Sequence, residues 1–202
     1  MRAWDIVSAL KQASDGPHAL QNVRHVLNGW RGCLGEVATA LAYIPGTGGN
    51  ANQVFYRTPE LSVLKVRFPA GRRTPPHDHG SWAAILTLSG SEKNTIYRRG
   101  SDSLEYANEA VLTPGAILTM PAEAVHVVET LGGEPATGLH VYGGDVLGVE
   151  RSMWDPDTLE EHPLTWDHYE ILARKTSATS AAPLTPRAPI RVPKRKENPA
   201  HG

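Results

Sequence analysis

Thr74-Pro75-Pro76-His77-Asp78-His79-Gly80 is the densest chemical signal in the chain. Side chains two apart on an extended segment project to the same side, so His77 and His79 face one way and Asp78 the other. A lone His-x-His pair is common on protein surfaces, and this one gains meaning from a second segment. Downstream, Gly115, Pro121 and Glu123 lead into a strand-like stretch, 125–129, that carries His126.

Working outward, the apolar pattern around both segments has a period of two. Residues 53–57, 61–68, 82–88, 93–99, 103–106, 116–120, 125–129 and 137–142 read as short strands, parted by turns such as Pro69-Ala70-Gly71, Ser89-Gly90-Ser91 and Thr113-Pro114-Gly115. Strands of this length, spaced about ten residues apart, predict an antiparallel sandwich or barrel rather than βαβ units, and a mainly-β jelly roll fits best. The first 45 residues carry a helical period instead. Trp4, Val7, Ala9 and Leu10 share one side of a first helix; Leu20, Val23, Val26, Leu27 and Trp30 follow on a second, and Leu34, Val37, Ala38 and Leu41 on a third. Asp15-Gly16-Pro17, Gly32 and Pro45-Gly46-Thr47-Gly48-Gly49 interrupt them. His18, His25 and Trp30 are read as packing or surface residues of these helices.

Composition narrows the chemistry. The 202 residues are 40% apolar, enough for one core or two small ones. With nine histidines and one cysteine, Cys33, neither a disulfide framework nor a cysteine-ligated zinc module is available. No apolar run approaches the ~18 residues of a membrane span, and Asp5 comes too early for a secretory signal, so a cytoplasmic location is expected. Net charge is -1, which does not suit a surface committed to phosphate or anionic lipid. That figure joins two unlike parts. Residues 175–202 hold six bases and one acid, a net +5, and leave 14 bases against 20 acids, a net -6, for residues 1–174. The expected organisation is a body over 1–174 (helices 1–45, barrel 52–145, C-terminal extension 146–174) and a disordered basic Pro/Ala-rich tail over 175–202. The tail is read as a solvated extension rather than a nucleic-acid or membrane contact. No Walker loop, Rossmann glycine fingerprint, Gly-x-Ser-x-Gly elbow or Cys-x-x-Cys is present.

Gly71 before His77, Gly90 after His79, and the Gly115/Pro121/His126 segment together resemble the two-part signature of the cupins, jelly-roll (double-stranded β-helix) barrels. The resemblance implies that His77, His79 and His126 are metal ligands at the barrel mouth. Many cupins add a glutamate four or five residues after the second histidine, where this chain has Ala83 and Ala84. A neutral three-histidine site follows. Asp78 and Glu129 have the wrong parity to join it, and Glu123 sits in a turn. Three facial imidazoles leave positions for a bidentate substrate and dioxygen, which favours Fe(II), although imidazole also accepts Zn, Ni, Mn and Cu.

A narrower resemblance lies in Gly138-Leu139-His140-Val141-Tyr142, the helical N-terminus and Gly80-Ser81-Trp82-Ala83 after the histidine pair. These look like the thiol dioxygenases, the cysteine dioxygenase and 3-mercaptopropionate dioxygenase group. The family's Ser-His-Tyr constellation implies roles for His140 and Tyr142 in catalysis and in holding the substrate carboxylate, with Gly138 in the serine's place and leaving a gap. The cysteine that crosslinks to the tyrosine in animal enzymes has no counterpart, since Ala83 and Ala84 fill that region and Cys33 lies among the helices. By the same resemblance Arg57, after Tyr56, would clamp the substrate carboxylate, with Arg72, Arg73 and Arg98 as alternatives. The implied activity is a non-haem Fe(II) dioxygenase using O2 to oxidise a small carboxylate-bearing thiol to its sulfinate. The expected protein is a monomer or homodimer without nucleic-acid or membrane partners. A cupin metalloenzyme acting on a small non-thiol compound, or a non-catalytic metal- or ligand-binding cupin, fits the same residues.

Overall fold

Nearly every stretch with period-two patterning forms a strand. A computed structural model describes residues 1–42, 52–100, 103–179 and 190–191. Strands β1 (Gln53–Arg57), β2 (Ser62–Phe68), β3 (Ala83–Ser89), β4 (Ser91–Arg99), β5 (Ser103–Leu112), β6 (Ile117–Met120), β7 (Val125–Leu131) and β8 (Ala136–Tyr142) build two antiparallel sheets. One has the order β1-β2-β8-β3-β6, and the other places β5, β4 and β7 side by side. Helices α1 (Ala3–Ala13), α2 (Ala19–Gly29) and α3 (Leu34–Ala40) precede them. The short strands β9 (Ser152–Trp154) and β10 (Glu161–Pro163) and helix α4 (Trp166–Thr179) follow, and β11 (Ile190–Arg191) pairs with the start of β5. The chain thus adopts the expected mainly-β jelly-roll architecture with short N-terminal helices. No described helix is long and apolar enough to cross a membrane.

The five-stranded sheet is buried on both faces. Leu64, Val66, Ala83, Ile85, Leu118 and Tyr142 point into the barrel. Their alternates Val63, Ala84, Leu86, Leu139 and Val141 meet Ile6, Leu10, Val23, Leu27 and Val37 of the helices. A sheet covered on both sides needs apolar residues at successive positions, which is why β3 reads as an almost continuous apolar run. Each fully buried aliphatic side chain of Val or Leu size is worth ~1.5–3 kcal/mol, so the helices contribute to the barrel's stability as well as covering it.

Some boundaries and faces differ from expectation. Trp4, placed on the packed side of α1, is 69% exposed. Ile6, Val7 and Leu10 form the buried stripe, because a helix advances about 100° per residue and Trp4 falls outside the 3-6-7-10 arc. Ala38 is likewise exposed on α3. Strand β5 runs to Leu112, past the expected residue 106, because β4 supplies a full pairing partner whatever the weak β-propensity of Ala107 to Ala110. The body does not stop at residue 174. Helix α4 continues through 175–179, with Thr176 buried and Ser177 Oγ accepting from the Arg73 N–H at 2.9 Å. The Pro45–Gly49 turn and most of the basic tail lie outside the described residues.

Candidate metal centre

Pro75 and Pro76 restrict the backbone before His77 to extended conformations, and the segment runs beside β7. His77 exchanges both backbone hydrogen bonds with His126, donating at 3.0 Å and accepting at 2.9 Å. The His77 and His126 ring centroids are 4.6 Å apart. His79, two residues on, returns to the same side and brings its Nε2 to 3.2 Å from that of His126. Gly80, at φ +63°, then turns the chain toward β3. One ligand nitrogen from each of His77, His79 and His126 lies within 4.8 Å of the others, and all three residues are buried.

Neighbours fix the tautomers of two rings. His77 donates Nδ1–H to Pro75 O at 3.0 Å. Asn94, buried on β4, donates from Nδ2 to Glu92 Oε1 at 3.0 Å, so its Oδ1 faces His126 and accepts Nδ1–H at 2.8 Å. Both histidines therefore present a bare Nε2 lone pair, the state that a metal ligand requires. Burial lowers the His77 pKa to about 4, and burial with the neighbouring imidazoles holds His79 and His126 well below the usual histidine range. The result is three neutral imidazoles with no carboxylate among them. Asp78 turns away to Arg99 and the Ser152 N–H, Glu129 meets Lys93 at 3.5 Å, and Glu123 is exposed. This donor set fits a divalent first-row transition metal with three coordination positions left open.

The histidines border a cavity of about 280 Å³. Leu64, Val66, Phe68 and Val146 give it apolar walls, and α4 contributes Trp166 and Tyr169. His140 and Tyr142 both face it, with His140 Nδ1 2.9 Å from the Tyr142 hydroxyl and the Tyr142 ring 4.9 Å from that of His79. Burial drives the His140 pKa down to about 3 and the Tyr142 phenol up, so both are neutral. Ala83 pairs with Tyr142 across β3 and β8 and offers no donor there. Gly138 leaves no open gap, because the His140 ring occupies that space: a Cβ at 138 would lie 2.9 Å from His140 Nε2.

The arginines are distributed otherwise than expected. Arg57 is not among the cavity-lining residues; its half-exposed guanidinium forms a two-point pair with Asp145, Nε to Oδ1 at 2.7 Å and a terminal nitrogen to Oδ2 at 3.0 Å. The carboxylate it meets belongs to the protein, on the loop that carries Val146. Arg73 lies 4.0 Å from Glu129, and Arg98 is exposed. Arg72 does line the cavity but is held by both oxygens of Glu170, at 3.0 and 2.6 Å. The residue that sequence reasoning missed is Arg151, in the connection from β8 to β9. Its half-buried guanidinium faces the cavity 5.6 Å from the Trp166 ring centroid, and no carboxylate or carbonyl accepts from it among the described residues. Burial lowers its pKa. No motif surrounds it, so nothing in the sequence marks it. Asn94 and Glu92 were also missed, although buried polar residues alternating with the outward row of a strand are a usable cue.

No protein-family model matches the chain, and no curated protein matches its sequence. Among solved structures it is similar to the cupin domain of Schizosaccharomyces pombe Cnp3, with 15% identity, a TM-score of 0.40, and 48% of this chain and 61% of that one covered. It is also similar to the DMSP lyase DddQ from Ruegeria pomeroyi, with 19% identity, a TM-score of 0.43, and 59% of each chain covered. Hydroquinone 1,2-dioxygenase from Sphingomonas sp. matches at 14% identity and a TM-score of 0.40, over 56% of this chain and 74% of that one. The match thus spans about three-fifths of the length of the first two.

Proposed function

We propose that the chain is a non-haem Fe(II) dioxygenase that oxidises a small carboxylate-bearing thiol to its sulfinate. The observation that carries this reading is the pairing, in one cavity, of three neutral imidazoles with the guanidinium of Arg151, which has no carboxylate partner among the described residues. His77, His79 and His126 would hold the iron through ring nitrogens. Ferrous iron supplies thiol acidification and the redox capacity that dioxygen chemistry needs. The balance is RSH + O2 → RSO2H, with both oxygen atoms entering the product.

The protein's own groups do the rest. A three-histidine site adds no negative charge, so a bound divalent ion leaves the cavity cationic and suited to an anionic thiolate. Arg151 meets the substrate carboxylate through two parallel hydrogen bonds, which set both distance and orientation. The indole of Trp166 covers one face of that guanidinium. Tyr142, with His140 behind it, presents a neutral hydroxyl beside His79, placed to hydrogen-bond an oxygen atom at the reacting sulfur. Leu64, Val66, Phe68 and Val146 keep bulk water from the sulfur.

The test is anaerobic Fe(II) loading followed by oxygen uptake with 3-mercaptopropionate, cysteine and cysteamine, with products analysed by mass spectrometry. Uptake is expected with the two carboxylate-bearing thiols, accompanied by a gain of two oxygen atoms, and much less with cysteamine. Uptake no greater than that of a His126→Ala variant overturns the thiol reading, and equal rates with cysteamine overturn the role of Arg151.

A further inference from the structure

Gly138, His140 and Tyr142 form the row of β8 that faces the barrel interior, and Gly138 alone in that row has no side chain. Its φ does not ask for glycine. Gly138 is not among the residues with positive φ; it pairs with Val66 on β2 and with Thr87 on β3, where the β3–β8 register then shifts between Thr87 and Ser89, on the β3 side of the ladder. A glycine inside a strand ordinarily weakens it, so its presence calls for a local reason.

Space supplies that reason. A Cβ added at Gly138 would meet His140 Nε2 at 2.9 Å, His140 Cδ2 at 3.1 Å and Ile85 Cγ2 at 3.4 Å. The two tightest contacts are both to one imidazole. That ring has little freedom to withdraw. Its Nδ1 is 2.9 Å from the Tyr142 hydroxyl, and the Phe68 ring packs against it edge-on at 6.3 Å between centroids.

We infer that Gly138 is a positioning residue for Tyr142, acting through His140. The missing Cβ holds open the space into which the imidazole leans, and that lean aligns Nδ1 with the phenol. Any side chain at 138 pushes the ring by several tenths of an ångström toward Tyr142 or Phe68. A hydrogen bond weakens steeply once its angle is lost, so the Tyr142 hydroxyl loses its fixed direction. The gap left by glycine is a means of orienting the tyrosine, and neither a substrate pocket nor a lost serine.

This rests on the thiol dioxygenase reading only for its turnover readout. The first measurement is independent of activity: 15N-histidine NMR of the zinc-loaded full chain, parent against Gly138→Ala and Gly138→Ser. The His140 ring-nitrogen shifts are expected to move in both variants. The second is a thermal double-mutant cycle with His140→Ala. Gly138→Ala should lower the melting temperature when His140 is present and leave it equal or higher when the ring is gone. The third is oxygen uptake, where kcat should fall about tenfold with KM within about twofold, as expected for a misplaced group near the reacting atoms. Unchanged His140 resonances, or the same effect of Gly138→Ala with and without the His140 ring, overturn the inference. So does a Gly138→Ser variant with parental kcat. A parent that consumes no oxygen with any thiol overturns the proposed function alone, since the resonances and the thermal cycle still decide the role of Gly138.

Discussion

Replacing Asn94 with alanine tests whether the buried polar chain behind His126 sets the metal site. Asn94 is fully buried, accepts from His126 Nδ1 at 2.8 Å and donates to Glu92 Oε1 at 3.0 Å. Alanine removes both contacts and leaves an imidazole N–H and a carboxylate without partners in a dry interior, at about 1–3 kcal/mol for each unsatisfied group. That cost falls on the metal-free protein and would follow from any buried hydrogen bond. The distinctive effect is on the metal. Without its acceptor the His126 ring is free to turn or to move its proton to Nε2, and loss of such an outer partner typically weakens metal binding about 10–100-fold. At a metal concentration about 100 times the parental Kd, linkage stabilises the parent by about 2.7 kcal/mol. A variant that binds about 100-fold more weakly gains only about 0.4 kcal/mol under the same conditions. The assay is therefore thermal denaturation with and without Zn(II) or Fe(II), and the readout is the increment due to metal. Asn94→Asp, which keeps an acceptor, should retain more of that increment. An Asn94→Ala variant with the full parental increment would refute the reasoning, however far its metal-free melting point had fallen.

Other substitutions separate the remaining groups. Arg57→Met should leave KM for a carboxylate-bearing thiol within about threefold, because its guanidinium is engaged by Asp145, whereas Arg151→Met should raise KM by about 10–100-fold, the worth of a charge-assisted contact. The same Arg151→Met change removes a half-buried cation that no described residue accepts from and should leave the melting temperature of the free protein equal or slightly higher; a lower one would mean that the arginine serves packing. Burial raises the Glu92 carboxyl pKa, so the folded state holds that proton more tightly than the unfolded state, and the associated stability is present at low pH and lost as pH rises through the folded value. Glu92→Gln keeps an acceptor for Asn94 without that loss, and its advantage in urea unfolding should grow from about pH 4 to about pH 8; a constant difference would count against it. Glu170→Gln weakens the grip of Arg72 on α4 and should speed limited proteolysis in 166–179 while leaving cleavage within the barrel unchanged.

The sequence carried the barrel legibly because strand period is a local property. Most strands from β1 to β8 show an alternation or a short apolar run within a few residues, and the same-side placement of His77 and His79 follows from the same rule. What it hid depends on distant parts of the chain. Whether Trp4 or Ile6 packs depends on the angle at which α1 meets the sheet, and α1 ends 40 residues before β1, the first strand it touches. Arg57 and Arg151 are equally plausible from composition. They differ in that Asp145 lies beside the first and, among the described residues, no acceptor lies beside the second, a fact of folded space. Gly138 looked like a gap because a sequence shows that a side chain is missing but not what moves into its place. Asn94 had a readable cue, a polar residue on the inward row of β4, whose significance depended on knowing that Ile96 on the same row pairs with His126.

The double coverage of the five-stranded sheet has a consequence for how the site can vary. Along β8 the inward residues His140 and Tyr142 alternate with Leu139 and Val141, which are packed beneath the helices. A slip of one residue would push two polar rings into the helix-covered core and turn two aliphatic side chains toward the three histidines. The site's register is thus enforced from behind, by contacts that never touch a substrate. Changes under α1 or α2 should therefore reach the chemistry as loss of alignment while the barrel still stands, and the cavity wall formed by α4 can change with much less effect on the placement of these two rings.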